Sequence, residues 1–187
     1  AGATATRFDP NGQLTRAMFA AVLYRLEGSP AVSYTSAFAD VPEGEWYTDA
    51  VIWANQNGVV SGYNNGTFGG NGTLTREQLA SMLYRYAAYK GLSTHGLADL
   101  DGYTDAGHVS DWAEQAMRWA VQADILGSTS AAQRVLSPAG TATRAQCASI
   151  LMRFASLQGV QTPEPEVPAE APIEGEQHHD QLSDTGL

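Results

Sequence analysis

Apolar residues recur with one helical spacing at three places along the chain. Counted from Thr15, Thr75 and Thr143, they fall four, seven, eight and eleven positions on. The sets are Phe19, Val22, Leu23 and Leu26; Leu79, Met82, Leu83 and Tyr86; and Cys147, Ile150, Leu151 and Phe154. That is one face of an α-helix written three times. Each helix is predicted to start at its threonine, whose hydroxyl suits a first-turn amide. Cys147 stands where Phe19 and Leu79 stand and reads as a small buried hydrophobe. A related eight-residue phrase precedes each helix: Phe8-Asp9-Pro10-Asn11-Gly12-Gln13-Leu14-Thr15, then Phe68 to Thr75, then Leu136 to Thr143. An arginine follows each threonine: Arg16, Arg76 and Arg144.

A second unit precedes the phrase in two copies. One reads Phe38-Ala39-Asp40-Val41-Pro42, then Trp46 and Trp53; the other reads Tyr103-Thr104-Asp105, then Trp112 and Trp119. Both tryptophan pairs are seven residues apart, two turns along one helix face. Ala50, Val51 and Ala54 fill that face in one copy, and Ala113, Ala116 and Ala120 in the other. Gly58 reads as a C-cap. Asp124 aligns with Gly58, so the later helix is expected to end differently, with Gly127 in the place of Gly62.

Each repeat is therefore helix, glycine-rich loop, helix, with copies offset by 60 and then 68 residues. A two-helix unit of this kind cannot bury its own apolar face and must stack on its neighbours. The expected division is residues 1–37 as the second half of a first repeat, 38–97 as a second, 98–159 as a third, and 160–187 as a Pro/Glu-rich disordered linker. The Trp-bearing half of the first repeat would lie before Ala1. A chain that starts without methionine is expected to be a processed product or a fragment.

Composition narrows this picture. The chain has 187 residues, 43% of them apolar, enough for a real core. Its net charge is −10, but the last 28 residues hold seven of the 20 acids and no lysine or arginine. The rest is only mildly acidic, and no basic patch points to nucleic acid. One cysteine excludes an intrachain disulfide. No run of about 18 apolar residues exists to span a membrane. His178-His179 reads as a polar pair rather than a metal site. Leu182-Ser183-Asp184-Thr185-Gly186 is similar to the sortase motif Leu-Pro-x-Thr-Gly and also to Tyr103-Thr104-Asp105-Ala106-Gly107; the end of a linker is the preferred reading.

The arginines carry the candidate chemistry. A cation in the first turn meets the positive end of the helix dipole, unfavourable by roughly 0.3–1 kcal/mol. Making that choice three times calls for a compensating anion. A charge-assisted arginine–carboxylate bond contributes about 1.5–3 kcal/mol, enough to outweigh the dipole. Arginine rather than lysine fits a planar carboxylate, and free first-turn amides would add to an anion site. The anion is either a ligand carboxylate or Asp40 and Asp105 of the chain itself. Trp46 and Trp112 are read equally as sugar-stacking or as core, Trp53 and Trp119 as core. Asp9-Pro10-Asn11-Gly12 is rejected as a calcium loop: its counterparts lack acids, and position twelve is Ala20. His95 and His108 have no partner nucleophile, no phosphate-binding glycine loop occurs, and no cofactor is expected.

Taken together, these residues resemble S-layer homology repeats over positions 7 to 158. The resemblance rests on Phe38-Ala39-Asp40-Val41 with Trp46-Tyr47, Ala54 to Gly58, Val59-Val60-Ser61-Gly62-Tyr63, Phe68, and Thr75-Arg76-Glu77-Gln78. Phe8-Asp9-Pro10 with Thr15-Arg16-Ala17, and Tyr103-Thr104-Asp105-Ala106 through Trp112-Ala113 with Thr143-Arg144-Ala145-Gln146, match parts of two further copies. It implies a mainly α fold, with helix-loop-helix repeats in pseudo-threefold arrangement around a central three-helix bundle. It also implies an extracellular, non-enzymatic anchoring module that binds a pyruvylated secondary cell-wall polysaccharide of a bacterial envelope. The arginine of each Thr-Arg pair would recognise the acidic sugar in grooves between repeats. The implied site is Arg16, Arg76 and Arg144 with Thr15, Thr75, Thr143, Asp40, Asp105, Trp46 and Trp112, and a cargo domain would be linked outside this segment. A protein–protein scaffold with structural arginines is the alternative, and part of an enzyme the third reading.

Overall fold

The computed structural model describes residues 9–35 and 37–158. The expected linker, the His178-His179 pair, the Leu182–Gly186 motif and Phe8 lie outside the described residues. Within them are five α-helices: α1 (Arg16–Leu26), α2 (Thr48–Gln56), α3 (Arg76–Tyr89), α4 (Glu114–Gln122) and α5 (Arg144–Gln158). Two short 3₁₀ turns, Ala106–His108 and Asp111–Ala113, lead into α4. No strand occurs among the described residues; three isolated bridges replace a sheet.

The three phrase helices begin directly after their threonines. Thr15 Oγ1 accepts from the Met18 amide at 3.2 Å. Thr75 accepts from the Gln78 amide while the Gln78 side chain accepts from the Thr75 amide, both at 3.3 Å. Thr143 and Gln146 make the same reciprocal pair at 3.2 and 3.0 Å. Methionine at position 18 cannot complete the box in α1. Each cap contributes about 1 kcal/mol.

The segments ahead of these helices close a ring. The Leu14 amide donates to Ala142 O (3.1 Å), the Ala142 amide to Leu74 O (3.1 Å), and the Leu74 amide to Leu14 O (2.8 Å). Each segment gives one bond and takes one, so the three are held at equivalent places about a pseudo-threefold axis. The phrases then cap their neighbours. Gly72 and Gly70 carbonyls accept from the Arg16 and Ala17 amides, Gly140 and Pro138 from Arg76 and Glu77, and Gly12 and Pro10 from Arg144 and Ala145, all within 3.1 Å. The first-turn amides expected to be free for an anion are therefore taken by backbone carbonyls.

From this ring α1, α3 and α5 rise as the central bundle. Phe19, Leu23, Leu79, Leu83, Cys147 and Phe154 join one core, and Tyr86 stacks on Phe154 at 5.4 Å. Burial raises the Cys147 thiol to about 12, so it is inert as a nucleophile. Around the bundle, α2 packs on α1 and α4 on α3. Trp53 reaches Tyr24, Tyr86 and Tyr89, and Trp119 meets Tyr84 at 5.5 Å.

Three further expectations need correction. Trp46 precedes α2 and Trp112 lies in the second 3₁₀ turn, so neither shares a helix face with Trp53 or Trp119. Leu26 belongs to the predicted apolar face yet is 58% exposed. It is the last residue of α1, and the chain turns away at Gly28, whose φ of 77° is left-handed. The later outer helix also ends as the earlier one does. Gly58 (φ 69°) and Asp124 (φ 52°) take the same left-handed cap. Val59 and Val60 then donate to Ala54 O, as Ile125 and Leu126 donate to Ala120 O. That register places Gly127 opposite Ser61, not Gly62.

Leu83 is fully buried at the centre of the bundle. Leu83→Ala is expected to lower unfolding free energy by about 2–5 kcal/mol in urea titrations followed by circular dichroism.

Candidate functional site

Arg16 and Arg76 are 6% and 5% exposed. Arg16 Nε donates to Phe68 O at 2.9 Å and Nη2 to Ser61 O at 3.1 Å. Arg76 repeats this with Leu136 O at 2.7 Å and Gly127 O at 2.9 Å. The aspartates hold the other edge of the same loops. Asp40 accepts from the Phe68 and Gly69 amides at 2.6 and 2.8 Å, and Asp105 from the Leu136 and Ser137 amides at 2.8 and 2.7 Å. Cation and anion thus meet through a peptide segment rather than side chain to side chain. Burial pulls both guanidinium pKa values below their usual range, partly opposed for Arg16 by Tyr63 and Asp40 and for Arg76 by Asp105 and Tyr103. Both remain cations, as guanidinium does in proteins. Arg16 also lies 4.9 Å from the ring centroids of Tyr63 and Phe68, a cation–π geometry.

Two grooves open beside these arginines. The first, about 420 Å³, is lined by Arg16, Val60, Ser61, Gly62, Tyr63, Asn64, Gln78, Ser81, Met82, Arg85 and Trp112. The second, about 480 Å³, is lined by Arg76, Asp124, Ile125, Leu126, Gly127, Ser128, Thr129, Gln146, Ser149, Ile150 and Arg153. Gln78, Ser81, Met82 and Arg85 on α3 correspond to Gln146, Ser149, Ile150 and Arg153 on α5. Arg85 Nη1 donates to Ser61 Oγ at 3.2 Å, and Gln78 Nε2 to Tyr63 Oη at 3.2 Å.

Of the sequence-predicted residues, the first groove joins Arg16 with Trp112, and the second contains Arg76. Trp112 and Trp46 are each 56% exposed, whereas Trp53 and Trp119 are buried at 3%. Trp46 stands edge-on to Tyr47 at 5.3 Å. The threonine hydroxyls serve as helix caps. Arg144 is half-buried, its amide on Gly12 O. Sequence reasoning missed Arg85 and Arg153. The signal was present: arginine stands ten places after each threonine, at Arg25, Arg85 and Arg153. Among the described residues no three His, Cys, Asp or Glu side chains cluster as a metal site, and no helix is long and apolar enough to cross a membrane.

Arg76→Ala would strip one buried carbonyl and one part-buried carbonyl of their donor, so stability is expected to fall by about 1–3 kcal/mol in thermal and urea unfolding. Arg76→Lys is expected to recover little of it, because an ammonium lacks the fork that spans both oxygens. Asp40 predicts a pH effect. Desolvation pulls its carboxyl up, but the Phe68 and Gly69 amides, its own amide and Arg16 outweigh this, so its folded pKa lies below the usual value. A depressed carboxylate stabilises the fold above the unfolded pKa of about 3.9 and loses that contribution as pH falls through the lower folded value. Melting temperatures between pH 2 and 6 are expected to show wild type above Asp40→Asn at pH 6 and the gap shrinking below about pH 4.

Residues 37–80 match the family model of the S-layer homology domain. An amylopullulanase of Thermoanaerobacterium thermosulfurigenes is 31% identical over 160 residues, covering 84% of this chain and 8% of that protein. The surface-layer 125 kDa protein of Lysinibacillus sphaericus is 30% identical over 117 residues, 62% of this chain and 10% of its own length. A cellulosome-anchoring protein of Acetivibrio thermocellus is 26% identical over 106 residues, 51% of this chain and 24% of its own. The chain thus spans less than a quarter of each of these relatives. A similar segment occurs in proteins whose names otherwise have little in common. Residues 37–80, which form α2, the loop that Asp40 holds and the start of α3, are thus an S-layer homology domain segment.

Proposed function

We propose that this segment anchors a longer protein to the bacterial cell wall by binding an acidic, pyruvylated polysaccharide in the grooves between its repeats. The observation that carries this reading is the composition of the first groove. It holds two guanidiniums, Arg16 and Arg85, the polar Gln78 and Ser61, two aromatic rings, and no carboxylate. Among the described residues the hydrogen-bond acceptors of Arg16 are carbonyls and it forms no ion pair, so its charge is oriented but not cancelled by a contacting acid. A ketal carboxylate entering the groove finds donors already fixed, which limits the ordering cost of binding. Arg85, half-buried and held lightly by Ser61, has N–H groups to share with a planar carboxylate. Tyr63 and Trp112, both largely exposed, offer faces for the apolar side of a sugar ring. Several such contacts along one polymer raise avidity without any new interaction.

The surface-layer and anchoring relatives support this placement at the cell surface. The cargo would be the remainder of the longer protein, and no catalytic step is assigned to this segment. The scaffold reading has support in the same arginines, because Arg16 and Arg76 tie neighbouring repeats together through their loop carbonyls. One side chain serves both purposes: two donors bind the loop while the guanidinium also lines the groove.

The test is co-sedimentation with purified cell wall, before and after chemical removal of its pyruvyl groups. Wild type is expected to bind intact wall only, and retention on depyruvylated wall would overturn the reading. Arg85→Ala is expected to weaken binding by about ten- to a hundred-fold, the equivalent of one charge-assisted bond. Its melting temperature should stay close to wild type, unlike that of Arg76→Ala.

A further inference from the structure

The two grooves share a backbone frame but not a charge. Where the first is preceded by Gly58, the second has Asp124 in the same left-handed conformation. Asp124 lines the second groove with its side chain 91% exposed, Oδ1 standing 3.6 Å from Arg153 Nη1. The same Nη1 donates to the Asp124 carbonyl at 3.1 Å. Arg153 is the counterpart of Arg85, so the guanidinium that would meet a ligand's carboxylate already faces one from its own chain. The ring has gone as well. The Tyr63 amide donates to Thr67 O and the Thr129 amide to Val135 O, which sets Thr129 at the position of Tyr63.

We infer that the acidic sugar is taken by the groove at Arg85, and that Asp124 closes the groove at Arg153 to anions by acting as a built-in competitor. This rests on the reading that these grooves bind an acidic sugar, and adds which one does so and what excludes the other. An incoming carboxylate at Arg153 has to share the guanidinium with Asp124 and remain beside its negative charge. The exposed pair itself adds little to folding stability. Its consequence is local: a lining with Arg16 and Arg85 and no acid in one groove, Arg76 and Arg153 against an acid in the other.

The experiment titrates the full 187-residue chain with the methyl glycoside of a 4,6-pyruvylated glucose. Calorimetry gives the number of sites, and the arginine Nε–Hε signals in ¹H–¹⁵N NMR give their location. Wild type is expected to bind one equivalent, shifting Arg16 and Arg85 but not Arg153. Asp124→Asn keeps a residue that tolerates the left-handed backbone and removes the charge; Asp124→Gly restores the residue of the first groove. Either is expected to bring a second equivalent that shifts Arg153, with affinity there up at least about three-fold. Two equivalents on wild type with Arg153 shifting as much as Arg85 would overturn the inference and leave groove binding intact. So would an Arg153 signal that stays still in both variants. Failure of Arg85 to shift in any of the three proteins would instead overturn groove binding itself.

Discussion

The ring of backbone bonds among Leu14, Leu74 and Ala142 sets where the three bundle helices, α1, α3 and α5, start. A helix end leaves its first amides without partners inside the helix. Here those amides are satisfied by carbonyls two and four residues further back in a neighbouring phrase. Neither a phrase nor its helix is complete alone, because each supplies what the next requires. Closure of the cycle fixes where the three helices start relative to one another. The core of Phe19, Leu79, Tyr86 and Phe154 fills the space between these helices.

That arrangement explains how arginine comes to occupy the least suitable turn of each helix. The dipole term is small, roughly 0.3–1 kcal/mol, and it acts on a guanidinium whose Nε and Nη2 find carbonyls of the adjacent loop. The carbonyl and amide of Phe68 are gripped by Arg16 and Asp40, those of Leu136 by Arg76 and Asp105. Charge separated across a peptide segment differs from an ion pair in one respect that matters here. The cation remains unneutralised at contact distance and lines a groove while it holds the loop. The symmetric frame then lets single substitutions along the chain make each groove different, as Gly58 against Asp124 and Tyr63 against Thr129 do.

Much of this was legible in the sequence for a specific reason. Repetition turns a weak pattern into a strong one, since three coincident sets of apolar positions after a threonine leave little room for another reading. The helix starts, the caps at Thr15, Thr75 and Thr143, and the burial of Trp53 and Trp119 all follow from periodicity and local hydrogen-bonding capacity. The same logic would have found Arg25, Arg85 and Arg153, had polar positions been counted from the threonines as the apolar ones were. Leu26 was misplaced because a periodic pattern carries no information about the turn where a helix stops. Asp124 was misread because glycine is not the sole residue that tolerates positive φ.

By itself the sequence determined the units: which segments are helical, which face is apolar, and where each helix is capped. These are properties of a few neighbouring residues, written in spacing and side-chain type. Tertiary structure alone decided what the first-turn amides and guanidiniums bind, because their partners lie 45 residues away or more and are backbone carbonyls. A carbonyl belongs to every residue and leaves no mark in the sequence. For the same reason the two grooves, and the difference in charge between them, exist only once the ring has closed.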